Sequence, residues 1–337
     1  MRHRNNCTTS RPNSLAPLTI MCATIFMPGV GSASAEIKVV ASSKPAHSLV
    51  AMVMGNTGSP SVLVSGAASP HSYSMKPSDA QTVNGAAVFF RISEGLEPFT
   101  SKLIKSLPKS VRVVSIQDAP GVTLMDRREG GAFEAHGHDA HQGHKDQGKA
   151  KGKSSKAAGK EEREDETDPH IWLSPRNAMA IVDHIAKVLA ETDAGNATEY
   201  KNNAAAAVSK LQALDAELER ELKPYAGKPF VVLHDAYQYF EQRYGLTAVA
   251  SIAVNPEAAP SGKRLSAVRK KLADTAAFCV FAEPGMQPKV VAAVLEGAKA
   301  RSVVLDPEAT QLTPGPGLYE DLMRGLAAGA KQCFDGK

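Results

Sequence analysis

The sequence is poor in cysteine and in long apolar runs. It has four cysteines among 337 residues, and no two of them stand at the short spacing that zinc-finger motifs use. No segment after residue 35 is apolar enough to span a bilayer. We therefore expect neither a zinc finger nor, once residues 1–35 are removed, a chain that inserts into the membrane.

The signatures of several enzyme classes are also missing. The chain contains no H-E-x-x-H, no G-x-S-x-G and no glycine-rich phosphate loop. A zinc hydrolase needs an open metal position and a nearby general base, and only Glu283 or Asp306 could nominally serve as that base. We therefore expect a protein that is not an enzyme.

A strong charge of one sign is absent as well. The formal net charge is +4, and it falls to +1 if residues 1–35, with three arginines and no acidic residue, are removed. Such a balance does not indicate nucleic acid or an anionic membrane as a partner. Hydrophobic residues make up 43% of the chain, which is enough for packed cores.

Residues 1–35 have the pattern of a secretory signal rather than of a disordered N-terminus. Three arginines come first, residues 15–30 are mostly apolar, and an Ala-Ser-Ala sequence ends at Ala35. We expect cleavage after Ala35. A lipoprotein attached through Cys22 is the alternative, although the residues just before Cys22 lack the small side chain that lipid attachment normally needs.

Removal of the signal would leave two cysteines, Cys279 and Cys333. An even pair in an exported protein indicates a disulfide. Closing a loop of about 55 residues would stabilise the fold by roughly 4 kcal/mol on the chain-entropy model. Two free buried thiols are the alternative.

Short apolar strands alternate with helices in both halves of the chain. In the first half, strands are predicted at 36–42, 61–65, 86–92 and 111–116, with helices at 45–54, 76–84 and 96–107. In the second half, strands are predicted at 229–233, 247–254, 277–282 and 301–305, with helices at 236–244, 262–273, 289–300 and 319–331. The alternation favours an α/β fold with mostly parallel sheets flanked by helices.

The predicted organisation is two lobes joined by one helix. A helix over residues 198–222 would be nearly 40 Å long at 1.5 Å per residue, which suits a strut between lobes. We predict a first α/β lobe at 36–195, the linking helix at 196–223 and a second α/β lobe at 224–337. The stretch at about 126–167 shows no apolar periodicity and is predicted to be a solvated loop.

This predicted loop contains four clustered histidines: His136, His138, His141 and His144. The glycines among them argue against one fixed geometry. We interpret the cluster as an auxiliary site that binds zinc weakly and raises its local concentration. A solvated polar tract without metal is the alternative.

Four metal-binding side chains follow strands or precede a helix. His71 lies just past a strand of the first half, and His170 leads into a predicted helix. His234 and Asp306 end strands of the second half. Because open parallel sheets place ligands at the carboxyl ends of their strands, all four could meet in a cleft between the lobes. Three imidazoles and one carboxylate suit tetrahedral Zn(II).

Each of these residues taken alone has a structural explanation. His71 could cap a loop, and His234 could be a hydrogen-bonded core histidine. Asp306 could stabilise a turn before a proline, and His170 could pack beside Trp172. The prediction of a metal site rests on their joint placement.

The motifs around these residues resemble the ZnuA family, the solute-binding proteins of ABC zinc importers with a TroA-like fold. The matching segments are P-H-S-Y-S-M-K-P-S-D at 70–79, D-P-H-I-W-L-S-P at 168–175, H-D-A-Y-Q-Y-F at 234–240, V-N-P-E at 254–257, C-V-F-A-E-P at 279–284 and L-D-P at 305–307. They occur in the family's order and cover nearly all of the chain after residue 35.

The resemblance implies a function and a set of ligands. His71, His170 and His234 match the family's metal-binding histidines, and Asp306 matches a position that supplies a carboxylate in some members and is replaced by water in others. Pro70 departs from the acidic residue that often precedes the first histidine, which favours Asp306 or water as the fourth ligand. The implied cargo is Zn(II), and the implied partner is an ABC importer permease.

The resemblance also bears on the remaining predictions. It implies a histidine-rich loop, a Cys279–Cys333 bridge, lobes that move little, and a location in the periplasm. Manganese-binding relatives carry Glu at the position of His234, so the histidine here favours zinc. A manganese-binding protein or a surface adhesin of the same fold is the alternative. We expect a monomer.

Overall fold

The computed structural model describes residues 36–128, 167–253, 259–285 and 288–336. Its eight strands within these ranges form two four-stranded sheets in which every pairing is parallel. Helices flank both sheets. The predicted α/β architecture is therefore confirmed, while the exact lobe boundaries stay a prediction.

The first sheet has the strand order β2-β1-β3-β4. Its strands are β1 (Val39–Ala41), β2 (Ser61–Val62), β3 (Val88–Arg91) and β4 (Arg112–Ser115). The helices between them are α1 (Lys44–Met54), α2 (Pro77–Asn84) and α3 (Thr100–Ser106). The central strands β1 and β3 are buried on both faces, which explains their continuous apolar sequence.

The second sheet repeats this arrangement with the order β6-β5-β7-β8. Its strands are β5 (Pro229–Val232), β6 (Thr247–Ser251), β7 (Cys279–Ala282) and β8 (Arg301–Val304). The helices are α6 (Gln238–Tyr244), α7 (Gly262–Asp274), α8 (Pro288–Leu295) and α9 (Leu318–Asp335). Among the described residues, no helix has both the length and the apolar character that a bilayer crossing would require.

Two helices connect the sheets. In α4 (Pro175–Thr192), the Ser174 hydroxyl accepts a hydrogen bond from the Asn177 amide and Pro175 occupies the first turn, as expected for a helix start. Helix α5 (Ala197–Leu222) has 26 residues, or about 39 Å at 1.5 Å per residue. It packs against α4 and α1, so it is part of the core and not a free strut.

One hydrophobic core runs through both sheets. It includes Val39 and Phe90 from the first sheet, Phe230 and Phe281 from the second, and Leu211 from α5. Because these side chains form one continuous cluster, relative movement of the sheets would have to disrupt apolar packing.

A disulfide joins Cys279 of β7 to Cys333 of α9, with 5.9 Å between the two Cα atoms. The predicted bridge is confirmed, and the alternative of two free thiols is wrong. The bond fastens the C-terminal helix to a central strand of the second sheet.

Candidate metal centre

Three imidazoles meet at the carboxyl ends of the sheets. The Nε2 atom of His170 lies 3.2 Å from Nε2 of His71 and 3.3 Å from Nε2 of His234. One ring nitrogen from each histidine lies within 4.8 Å of the other two. The structure thus brings together the three histidines that the sequence singled out, from positions 71 to 234 of the chain, in an arrangement that could hold one metal ion.

His170 is fixed by the residues on either side of it. The carboxylate of Asp168 accepts hydrogen bonds from the His170 amide at 3.0 Å and from Nδ1 at 2.7 Å. After His170, a 3-10 turn at Ile171–Leu173 leads into α4. In this turn, Trp172 Nε1 donates to the Pro307 carbonyl at 2.9 Å. His170 therefore has a set ring orientation, with Nε2 directed at the other imidazoles.

His234 lies two residues beyond β5 and is oriented in the same way. Its Nδ1 lies 2.7 Å and 2.8 Å from the two carboxylate oxygens of Glu283, the residue that follows β7. Metal-binding histidines commonly donate their second ring N–H to a carboxylate, which fixes the tautomer and leaves the other nitrogen for the metal. Asp168 and Glu283 fit that role for His170 and His234.

His71 is held more loosely, in a turn between β2 and α2. Its backbone amide donates to the Ser69 hydroxyl at 3.3 Å, and its Nε2 lies 3.5 Å from Oε1 of Glu308. The His71 side chain is 15% exposed, against 4% for His170 and 2% for His234. His71 is thus the imidazole on the solvent side of the cluster.

Burial and neighbouring charges set the proton affinities of the three rings. Burial, reinforced by the other imidazoles, holds the pKa of His71 and the pKa of His170 well below the usual histidine value. Burial also opposes charge on His234, but the carboxylates of Glu283, Glu308 and Asp235 together raise the pKa of His234 to about 9, with Glu283 contributing most among them. Burial thus favours the neutral form of His71 and His170, whereas the neighbouring carboxylates favour the protonated form of His234.

Asp306 lies outside the group of three meeting nitrogens. Its Oδ2 accepts hydrogen bonds from the Thr310 hydroxyl at 3.1 Å and from the Gln311 amide at 2.9 Å. Its Oδ1 is buried and finds no hydrogen-bond partner within the part of the chain that the structure describes. One oxygen is thus fixed while the other lacks a partner, and the ligand role of Asp306 stays a prediction.

Glu308 was not singled out from the sequence, although it stands two residues after Asp306 in the same turn. Its side chain is only 8% exposed, and Oε1 accepts a hydrogen bond from the Ser69 hydroxyl at 3.2 Å. Together with its approach to His71, this contact links the His71 turn to the loop after β8. An acidic residue in the turn that follows a last strand was the available sequence signal.

The four clustered histidines His136, His138, His141 and His144 lie outside the described residues. The two chain segments that flank residues 129–166 come together, because Asp126 and Thr167 form an isolated antiparallel bridge. The stretch between them therefore begins and ends at one place on the structure.

The chain is similar to known proteins over nearly its whole length after residue 38. A family model described as "Zinc-uptake complex component A periplasmic" matches residues 39–333. High-affinity zinc uptake system protein ZnuA of Brucella abortus (strain 2308) is 42% identical over 327 residues, which cover 94% of this chain and 98% of that protein. The protein of the same name from Paracoccus denitrificans (strain Pd 1222) is 35% identical over 326 residues, with 96% and 98% covered.

The fold is also similar to solved structures. A mutant structure of the laminin-binding adhesin Lmb from Streptococcus agalactiae superposes with a TM-score of 0.70 and 24% identity. The similarity covers 88% of this chain and 99% of that one. At this level of identity the comparison shows a shared fold and nothing further about function.

Proposed function

Because the chain belongs to the family of periplasmic A components of zinc-uptake complexes, we propose that it captures Zn(II) and delivers it to an ABC-type membrane permease for import. The observation that carries the proposal is the meeting of His71, His170 and His234 at their Nε2 atoms. Three imidazole nitrogens suit tetrahedral zinc, whereas manganese prefers a set richer in oxygen. The histidine at position 234 thus argues against the manganese alternative.

Asp306 is our proposed fourth ligand, with water as the alternative. Support comes from its unpartnered Oδ1, since a buried acceptor without a donor is costly unless a cation or water satisfies it. Its Oδ2 is already held by Thr310 and Gln311, and metal-binding carboxylates are commonly fixed by such hydrogen bonds. Glu308 would instead support His71 when zinc is absent.

The site is proposed to bind zinc without catalysing a reaction. Asp168 and Glu283, the carboxylates that contact the site histidines most closely, are engaged at Nδ1 and act as orienting groups. A hydrolase would need a free carboxylate to activate a water molecule, and Asp306, the other base that the sequence offers, is proposed here as a ligand. A screen of the zinc-loaded protein against ester, peptide and phosphate substrates should give no turnover that depends on zinc.

The auxiliary histidines are proposed to assist capture. Deletion of about residues 134–166 should leave the tight site intact, because none of the three imidazoles lies in that segment. It should reduce the number of weakly bound zinc ions and slow zinc uptake by the protein when a chelator competes. Loss of the tight site on deletion would contradict this division of roles.

The proposed location is the periplasm, with the mature chain starting at Glu36, and the proposed working form is a monomer. N-terminal sequencing of the exported protein tests the cleavage after Ala35. An N-terminal lipid on Cys22 would instead support the surface-lipoprotein alternative. For an adhesin, the present support is a shared fold alone.

Growth under zinc limitation tests the transport proposal directly. A strain without this gene should fail to grow at low zinc, and the wild-type gene should restore growth. The His170→Ala and His234→Ala variants should not restore it, whereas His184→Ala, which alters a histidine on α4 away from the cluster, should. Equal growth with all variants would refute the proposed site.

A further inference from the structure

The two chain segments that flank residues 129–166 run side by side. The Asp168 amide donates to the Met125 carbonyl at 2.8 Å, and Nε of Arg127 donates to the Thr167 carbonyl at 2.9 Å. With the bridge between Asp126 and Thr167, these contacts make one small unit immediately ahead of His170.

This unit is hydrogen-bonded to helix α6, which begins four residues after His234. Tyr239 donates from its hydroxyl to the Asp168 carbonyl at 2.8 Å. Gln238 donates from Nε2 to the Asp126 carbonyl at 2.9 Å and to Oδ2 of Asp168 at 3.0 Å. Because the other oxygen of Asp168 orients the ring of His170, Gln238 connects α6 directly to the orientation of a proposed ligand.

Arg128 forms four charge-assisted hydrogen bonds with two carboxylates in this region. Its Nε donates to Oδ2 of Asp235 at 2.9 Å, and its Nη2 pairs with Oδ1 of the same carboxylate. Two further bonds, at 3.0 Å and 2.8 Å, reach the carboxylate of Glu241 on α6. Asp235 directly follows His234, so the guanidinium holds the residue next to a second proposed ligand.

We propose that Arg128 is a positioning residue for the zinc site, and this inference rests on the proposed function. Arg128 lies on the flanking segment that pairs with Thr167 and Asp168, just ahead of His170. It fastens this paired unit onto the segment carrying His234, and so sets the spacing between the two imidazoles. We name the contacts of Arg128 with Asp235 and Glu241, together with those of Gln238, the Arg128 latch.

The chemistry of the guanidinium explains why arginine suits this place. A planar fork of donors can bind two carboxylates at fixed angles, which a single ammonium cannot do. The Arg128 side chain is 11% exposed, and Asp235 and Glu241 are 17% and 7% exposed, so the pairs are largely shielded from water. Removal of Arg128 would leave two adjacent carboxylates without this partner, and only the hydrogen bonds of Gln238 and Tyr239 would then hold the two segments in register.

The same helix provides a matched control. Arg243 of α6 forms bonds of 2.7 Å to both oxygens of Asp215 and one of 2.9 Å to Glu219, and its side chain is 10% exposed. Both of these partners lie on α5, away from the histidine-bearing segments. Arg243→Met therefore removes an equivalent ion-pair network without touching the latch.

The test is the rate at which the zinc-loaded full-length protein releases zinc to excess chelator. We expect Arg128→Met to release zinc roughly tenfold faster than wild type, the scale of other partners that orient metal ligands. Arg128→Lys keeps the positive charge but loses the planar set of donors, so its zinc release rate should increase by an intermediate amount, roughly threefold. Arg243→Met should stay within about twofold of wild type, although it loses a similar ion-pair network.

A spectroscopic measurement separates positioning from general destabilisation. Cobalt(II) bound in place of zinc should show a shifted ligand-field spectrum in Arg128→Met and an unshifted one in Arg243→Met. If Arg128→Met does not fold, the release rate of Arg128→Lys decides the matter. Release rates and spectra that match those of Arg243→Met would overturn the inference. A wild-type protein that binds no zinc would instead overturn the proposed function itself.

Discussion

The buried pair His170 and His234 differs from His71 in nearly every physical respect. Each member of the pair is almost fully buried and has a carboxylate at Nδ1, Asp168 or Glu283. His71 lies in a turn, is partly exposed, and approaches Glu308 through the same Nε2 that would bind a metal. Two imidazoles of the candidate site are thus held in place, while the third must exchange one partner for another.

This difference suggests how one site can be both tight and accessible. In the proposed site, the buried pair would provide a preorganised half of the coordination sphere, which would lower the cost of ordering ligands on binding. His71 would close the sphere from the solvent side, with the metal replacing its contact with Glu308. The continuous core beneath both sheets favours such a local adjustment over a large movement of the lobes.

Loss of a ligand should give the largest effects and test the comparison most severely. The binding free energy of a tight structural zinc site is roughly 10–16 kcal/mol, so each of four ligands contributes about 3 kcal/mol if the energy is shared equally. His170→Ala and His234→Ala should each weaken zinc binding by roughly 100-fold or more. His71→Ala should weaken it less, by roughly tenfold, because water can replace a ligand at the exposed position.

Chelator-competition titrations would measure these affinities, with His184→Ala as the control on α4. Equal losses for all three ligand variants would show that the buried pair and His71 are energetically alike. That result would contradict the proposed difference between the buried pair and His71, but it would still support the metal site.

Loss of an orienting carboxylate should have the next largest effect. Asp168→Asn and Glu283→Gln keep the size of the side chain but remove the charge that orients the imidazole, and each should weaken zinc binding by about 10- to 100-fold. Calorimetric titration would give the change. Glu97→Gln is a matched control, since Glu97 is a buried carboxylate that accepts hydrogen bonds from Ser42, Ile92 and Ser93. An equal loss of zinc affinity in this control would mean that zinc binding depends on having a buried carboxylate and not on its contact with a histidine.

A smaller effect is expected at the fourth position. Asp306→Asn should weaken zinc binding by roughly tenfold, because a neutral amide oxygen replaces a charged ligand. Calorimetry on this variant beside wild type would measure the change. Wild-type affinity in Asp306→Asn would assign the fourth position to water.

The smallest effect is expected at Glu308. Glu308 contacts His71 in the protein without metal. Glu308→Gln should therefore change the free energy of zinc binding by about 1 kcal/mol or less, which corresponds to no more than roughly fivefold in zinc affinity. Stopped-flow measurement of zinc association should show a larger change than the equilibrium titration. A loss as great as that of Asp306→Asn would make Glu308 a ligand and not a support for His71.

Much of this site could be predicted from local sequence. His170 and His234 stand in short motifs next to a helix start and a strand end, and the rule that parallel strands present ligands at their carboxyl ends places them together. Alternating strands and helices likewise predicted both sheets. Element ends were less certain: α8 stops at Leu295 rather than near residue 300, because Gly297 adopts a left-handed conformation with φ of 75°.

The partners of the ligands could not be predicted, because they depend on contacts between distant segments. Glu283 reaches His234 across 49 residues, and Glu308 approaches His71 across more than 230. Arg128 showed no sequence signal beyond its place at the edge of a polar tract. The contact of Glu283 with His234 follows from the pairing of β5 with β7 in one sheet. The contacts of Glu308 and Arg128 join loops that follow strands of different sheets, which no local pattern records.

The most direct test of the central claim is a crystal structure of the protein loaded with one equivalent of zinc. Anomalous scattering at the zinc edge should show one strong peak bonded to Nε2 of His71, His170 and His234, at about 2.0–2.1 Å from each nitrogen. The buried pair should superpose on its present position, and His71 should have moved away from Glu308. A strong peak that does not contact all three imidazoles would contradict the account.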